Sequence, residues 1–219
     1  MNRDPSLAFR GLLVTQVALT LVYPFLGEAW SFRFLLGVFL MLALYGGVSI
    51  TVTKPFKLWT SLILGVCFVG SYWVVAATDI HQIKIWVGLF GAAFFWFTAG
   101  ILMKYIFSQR SQVDLDLIYG AVSVYLLIGS GFGQIYLAFA MADPSAFAGV
   151  EVTSDFDKVS RSLSYFSFVT LTTLGYGDIT PAQHHVKVLA YFEAIIGQLY
   201  LTILVARLVG TYIAQSRDK

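Results

Sequence analysis

Between Thr172 and Asp178 the chain reads Thr-Thr-Leu-Gly-Tyr-Gly-Asp, and the chemistry on offer belongs to the backbone. Peptide carbonyls in a row can replace the water around a bare cation if they all point at one axis. A run of ordinary L-residues cannot turn them the same way, because alternate residues would need positive φ. Glycine carries no such penalty, and Gly175 and Gly177 alternate with Leu174 and Tyr176. The segment follows a short apolar-aromatic stretch and precedes Pro181 and a long hydrophobic run. One copy gives only one wall of a pore, and the chain has a single Gly-Tyr-Gly. A closed pore therefore calls for a cyclic homo-oligomer.

Thr173-Leu174-Gly175-Tyr176-Gly177 resembles the TVGYG selectivity filter of the tetrameric potassium channels. The resemblance implies a homotetramer in which the carbonyls of Thr173, Leu174, Gly175 and Tyr176 bind K+. The Thr173 hydroxyl would add the innermost oxygen layer. The side chains of Leu174 and Tyr176 would point away and wedge the filter into surrounding protein. Leu174 stands where valine is commonest, so its branch point lies further out. Thr172, Tyr165 and Asp178 are expected to support the filter, Tyr165 with Phe166 as an aromatic cuff and Asp178 behind the filter or at its mouth. K+ is cargo here, and no cofactor is expected.

The elements that hold such a loop can be read from hydropathy. The 219 residues are 58% hydrophobic and only 12% charged, against about a quarter charged in a soluble domain. Stretches of about 20 apolar residues suit membrane spans. They recur near 9–28, 33–53, 57–78, 83–107, 117–142 and 185–210. A shorter piece near 161–172, opening at Ser160 as N-cap, reads as a re-entrant pore helix. The expected fold is an all-α integral membrane protein of six transmembrane helices plus that pore helix and the filter loop.

With both termini in the cytoplasm, the inside basic residues are Arg3, Arg10, Lys54, Lys57, Lys104, Arg110, Arg207, Arg217 and Lys219. The outside ones are Arg33, Lys84, Lys158, Arg161 and Lys187. Nine against five obeys the positive-inside rule and puts Asp178 outside, as the resemblance demands. Cys67 lies in the third span and reads as an apolar thiol that cannot form an intrachain disulfide. The first span follows Arg3 and Arg10 but lacks a small-x-small cleavage site, so it is expected to be retained. No basic tract is dense enough for nucleic acid.

Two modules are expected: a four-helix domain over 1–108 and a pore domain over 109–219, joined by the polar Ser108-Gln109-Arg110-Ser111-Gln112. The first has the helix count of a voltage sensor without its chemistry. A sensor helix carries a positive charge at every third residue, whereas the run between Lys84 and Lys104 has none. At helical rise those two lysines are about 30 Å apart, so both can snorkel to the interfaces. The module is either scaffolding or a site for a lipid or small regulator. Gly88, Gly91 and Gly100 fit close helix packing.

In the second module Gly129, Gly131 and Gly133 suggest close packing of the outer helix or a bend. Asp114 and Asp116 could pair with Arg207, which could equally snorkel. The acids Glu28, Asp79, Asp143, Glu151, Asp155, Asp157 and Asp178 outnumber the outside basic residues, either concentrating cations at the mouth or lying in an ordinary solvated loop. Gly197 lies twenty residues after Gly177, matching the family's glycine hinge; it is a gating hinge or a packing glycine. Leu201, Val205 and Val209 are candidates to line the cavity and lower gate. Glu193 is a carboxyl inside the sixth span, where a polar group is costly. It is expected to hydrogen-bond behind the filter to Ser167 or Thr170. His184 and His185 stand near the mouth as pH sensors or plain surface residues. Few residues follow the last span, so any ligand gate is expected in the membrane part or on another protein.

The reading is a potassium-selective channel, not strongly voltage-gated and not an enzyme, in a prokaryotic inner membrane. Its partners are K+, the bilayer and three further copies of itself, with any regulatory partner unknown. The alternatives are a non-selective cation channel and a potassium transporter subunit, though the latter carries four degenerate filters in one chain. No nucleophile–base arrangement, metal-ligand cluster or phosphate loop suggests catalysis.

Overall fold

The computed structural model describes residues 5–22, 55–78, 80–108, 115–152 and 155–217. The second expected span, 33–53, lies outside them, as do the linker 109–112 and Asp114. Two helices open the first module on proline, whose fixed φ and missing N–H suit a first helical position: α1 (Pro5–Val22) and α2 (Pro55–Thr78). Then come α3 (His81–Ser108), α4 (Leu115–Ala142), β1 (Phe147–Ala148), α5 (Phe156–Leu171), β2 (Thr180–Pro181) and α6 (His184–Arg217).

Among the described residues four helices are long and apolar enough to cross a membrane, over Pro55–Val75, Gln82–Ser108, Leu117–Ala142 and His184–Thr211. They match the third to sixth expected spans. The first, 9–28, is described only to Val22, within α1. At 34 residues α6 is about 51 Å long, well beyond a hydrocarbon core of about 30 Å.

The core sits around α4. Helices α1, α3 and α5 all pack on it, α2 lies on α3, and α6 meets α5. Small residues make this possible. Gly129 faces the Phe168 ring and Gly133 the backbone of Ser164, both on α5; Gly131, on the other side, faces the Trp96 indole of α3. Gly88 and Gly91 are likewise pressed against α4. Gly100 is a correction: a side chain there would meet open space, so it does not serve packing within the chain.

Lys84 also departs from expectation. Its side chain is buried near the start of α3, whereas Lys104 is exposed. Helix α2 also reaches α5, where the Tyr72 hydroxyl donates to Asp157 in the first turn of α5 and the Tyr72 ring meets Phe156 edge-on.

Candidate functional site

The site is built on α5, and α5 starts a turn earlier than expected. Asp155, not Ser160, is the N-cap: its carboxylate accepts the Lys158 amide at 3.1 Å. An aspartate caps as well as a serine, and Asp157 adds negative charge to the positive helix end. Ser160 is then an interior, buried position.

The last four carbonyls of a helix lack partners within it, and here residues 172–175 supply most of them. Phe168 O takes the Thr172 amide at 3.1 Å and Thr170 O that of Thr173 at 2.9 Å. Val169 O takes two, Leu174 at 2.9 Å and Gly175 at 3.3 Å. Leu171 O accepts the Tyr125 hydroxyl of α4 at 3.2 Å. The Thr172 hydroxyl bonds back to Phe168 O at 2.7 Å, so Thr172 closes the helix.

This pattern orients the carbonyls. The peptides are trans, so each C=O points opposite to the N–H that follows it. With the amides of Leu174 and Gly175 turned to α5, the carbonyls of Thr173 and Leu174 point away from it. The backbone continues in kind: φ is positive at Thr173 (58°), Gly175 (59°) and Gly177 (80°) and at neither residue between them. Alternating handedness sends amides to one side and carbonyls to the other. Thr173 is the only non-glycine with positive φ among the described residues, a strained position for a β-branched residue.

Residues 172–178 are all exposed in the single chain. The Tyr165 ring stacks on that of Tyr176, centroids 6.5 Å apart and 9° from parallel, while its hydroxyl donates to Asp178 at 2.9 Å. Leu174 has no comparable wall within its own chain. Phe166 does not share the cuff: it is buried on the other side of α5, edge-on to Tyr136 and Phe147. Adjacent residues on a helix differ by about 100°, so both cannot face the filter.

Behind α5, Glu193 is fully buried. Ser167 lies 2.5 Å from its Oε1 and Tyr136 donates to its Oε2 at 2.6 Å; Thr170 is not a partner. From α6 itself, Gln198 donates to the Thr173 hydroxyl at 3.0 Å. Sequence reasoning missed Tyr136, Tyr125 and Gln198.

The loop after α4 is more than a solvated turret. β1 pairs antiparallel with β2, Phe147 opposite Pro181 and Ala148 opposite Thr180. Ala182 donates to Ala146 O at 2.8 Å and Gln183 to the Ser145 hydroxyl at 3.0 Å. Gly149, at φ +83°, passes so close to Asp178 that a Cβ would strike its carbonyl oxygen. Ser145 also donates its hydroxyl and its amide to Asp143, which holds that carboxyl below the usual carboxylate range. The outcome is a clamp on the segment that follows Gly177.

Below the filter, α6 runs unbroken through Gly197. Gly197 is buried against the Leu171 carbonyl oxygen, with no room for a Cβ. Tyr200 anchors the same helix by donating to Ala121 O at 2.7 Å. Leu201, Val205 and Val209 are exposed, on the face that α4 and α5 leave uncovered. The Arg207 guanidinium sits over the Phe107 ring at 4.9 Å; the side chain of Asp116 is outside the described residues. His184 and His185 are exposed at the start of α6, the latter against Phe139. Cys67 is half-buried on α2.

Comparison with known proteins covers this same region. Residues 117–214 match the model of a family described as ion channel. The chain is similar to Protein LctB of Bacillus caldotenax, 29% identical over 100 residues, which is 45% of this chain and 74% of that protein. No solved structure matches. The family match supports an ion channel, and with the four long apolar helices it suits an integral membrane protein.

Proposed function

We propose that the chain forms a potassium-selective channel, a homotetramer in which four copies of Thr173–Gly177 surround one axis. The observation that carries the reading is the filter backbone: positive φ at 173, 175 and 177, with amides committed to Val169 and carbonyls facing away from α5. Carbonyls so aligned can stand in for the hydration of K+. A single chain offers one wall, exposed along its length, which is the reason for a closed ring. K+ moves passively and no cofactor takes part. Six spans, cytoplasmic termini and a prokaryotic inner membrane belong to the same proposal.

Thr172, Tyr165, Asp178 and Glu193 serve as filter supports. Leu201, Val205 and Val209 line the cavity, an apolar ring able to close it by dewetting. Gly197, whose packing against Leu171 leaves no slack in this conformation, is the point where bending of α6 would pull on the pore helix. Voltage has little to act on, because α3 is uncharged between Lys84 and Lys104.

The test is ion flux in liposomes holding the purified protein. K+ is expected to pass in clear preference to Na+. Gly175→Ala, which forces a Cβ onto φ +59°, is expected to cost about 1–2 kcal/mol per subunit and abolish the preference. A monomeric protein, or Na+ carried as readily as K+, would overturn the reading.

A further inference from the structure

The oxygens around Glu193 pose a proton-counting problem. Ser167 Oγ is 2.5 Å from Glu193 Oε1 and 2.7 Å from the Gly129 carbonyl oxygen. Each of these short contacts needs a hydrogen between its oxygens. The Gly129 carbonyl has none to give, and serine has one. If Ser167 donates to Glu193, then its oxygen faces the Gly129 carbonyl with lone pairs on both sides. If it donates to Gly129, the hydrogen toward Glu193 must be carried by the carboxyl itself. Oε2 offers no escape, because it already accepts from the Tyr136 hydroxyl at 2.6 Å.

Only the un-ionised acid fills all three contacts: Tyr136 donates to Oε2, Oε1–H donates to Ser167, and Ser167 donates to Gly129. The surroundings agree. Glu193 is fully buried, about a third of the way along an apolar span. The titratable groups that face it are Tyr136 and Tyr125, both from α4; α5 offers the Ser167 hydroxyl, and its own helix presents no cation to it among the described residues. A carboxylate with no counter-charge in such a place is strongly disfavoured.

We propose that Glu193 is held as a neutral carboxylic acid, and that its proton completes a hydrogen-bond chain joining α6, α5 and α4 behind the filter. Glu193 is thus a positioning residue. Its chain fixes Ser167, two residues before the Val169 carbonyl that holds the amides of Leu174 and Gly175. That role in conduction rests on the proposed channel reading, whereas the protonation does not. Deprotonation at alkaline pH would leave one contact without a hydrogen and put an unpaired charge between three helices, so ion flux should fall as pH rises.

Infrared spectroscopy of the full chain in liposomes at neutral pH tests the protonation directly. The expected result is a carbonyl-stretch band of an un-ionised acid that Glu193→Gln removes and Tyr136→Phe shifts to higher frequency, through loss of the bond to Oε2. Absence of the band, or a band that neither variant alters, overturns the proposal; if Glu193→Gln fails to assemble, Tyr136→Phe decides alone. In the flux arm, Glu193→Gln can donate to Ser167 and accept from Tyr136 without a titratable proton. It is expected to keep K+ flux within about twofold of the parent at neutral pH and to lose the alkaline decline. Equal alkaline decline in parent and variant overturns the positioning role. Comparison of K+ with Na+ separates the two readings, because indiscriminate flux with an intact acid band defeats the potassium filter and leaves the neutral acid standing.

Discussion

The amide nitrogen of Gln198 lies 3.0 Å from the hydroxyl of Thr173, joining α6 to the first residue of the Thr-Leu-Gly-Tyr-Gly segment. A glutamine N–H only donates, so Thr173 accepts here and keeps a second lone pair, which in the proposed channel would face the ion. Gln198→Leu keeps the volume and removes the donor. A bond of this kind is worth about 0.5–1.5 kcal/mol, so the K+ concentration giving half-maximal flux should rise by about two- to tenfold. Unchanged half-saturation in liposome flux would show that the contact does not set the Thr173 hydroxyl.

Gly197 and Gly210 sit on the same helix and make a matched pair. A methyl group at Gly197 meets the Leu171 carbonyl oxygen, which is backbone and already engaged by Tyr125. A methyl at Gly210 meets nothing within 4 Å in the chain. Gly197→Ala should destabilise the assembly by about 1–3 kcal/mol through overpacking. Gly210→Ala should be neutral or gain up to about 1 kcal/mol from helix propensity. Thermal unfolding followed by loss of the oligomer on gel filtration reads both, and equal behaviour of the two variants would remove the contact from consideration.

What could be read from the sequence divides along a physical line. The alternating backbone of 173–177 was legible because alternating glycine has a conformational meaning that needs no partner. The long spans were legible from length and apolarity alone, and Glu193 from the cost of an acid in an apolar run. Asp155 could have been found: it stands ahead of Asp157 with the same capping chemistry as Ser160, and nothing in a single sequence ranks two cappers a turn apart. The 100° step from Tyr165 to Phe166 also carried enough information to divide their roles. Tyr136, Gln198 and Gly149 could not be found, because each matters through a residue far along the chain. Tyr136 meets Glu193 across 57 positions and Gln198 meets Thr173 across 25. A tyrosine in a span reads as packing until the buried acid opposite it is seen.

Gly149 provides a test of the outer clamp. Its φ of +83° disfavours any side chain, and a Cβ would also strike the Asp178 carbonyl oxygen. Gly149→Ala therefore carries about 1–2 kcal/mol of backbone strain plus the steric clash. The damage falls on the segment paired through β1 and β2, just past the filter, and not on the spans. The variant should still enter membranes with native helix content by circular dichroism, while K+ over Na+ preference in flux drops. Full retention of that preference would reduce the clamp to a surface turn.

Tyr165 performs two tasks that substitution can separate. Its ring lies parallel to that of Tyr176, and its hydroxyl donates to Asp178. Tyr165→Phe preserves the stack and deletes the donor. The Asp178 carboxylate is exposed and can recruit water in place of the hydroxyl, so the fold should survive and the initial K+ flux should stay near that of the parent. The filter exit loses a tether, and flux should decay faster over successive minutes as the loop escapes its conducting geometry. Tyr165→Leu removes the stack too and should impair the K+ preference from the first time point. The pairing itself is read from a double-mutant cycle. If Tyr165 acts through Asp178, adding Asp178→Asn to Tyr165→Phe should accelerate decay no further than the larger single change does. Additive acceleration would mean that the two residues support the filter independently, with the hydrogen bond incidental to it.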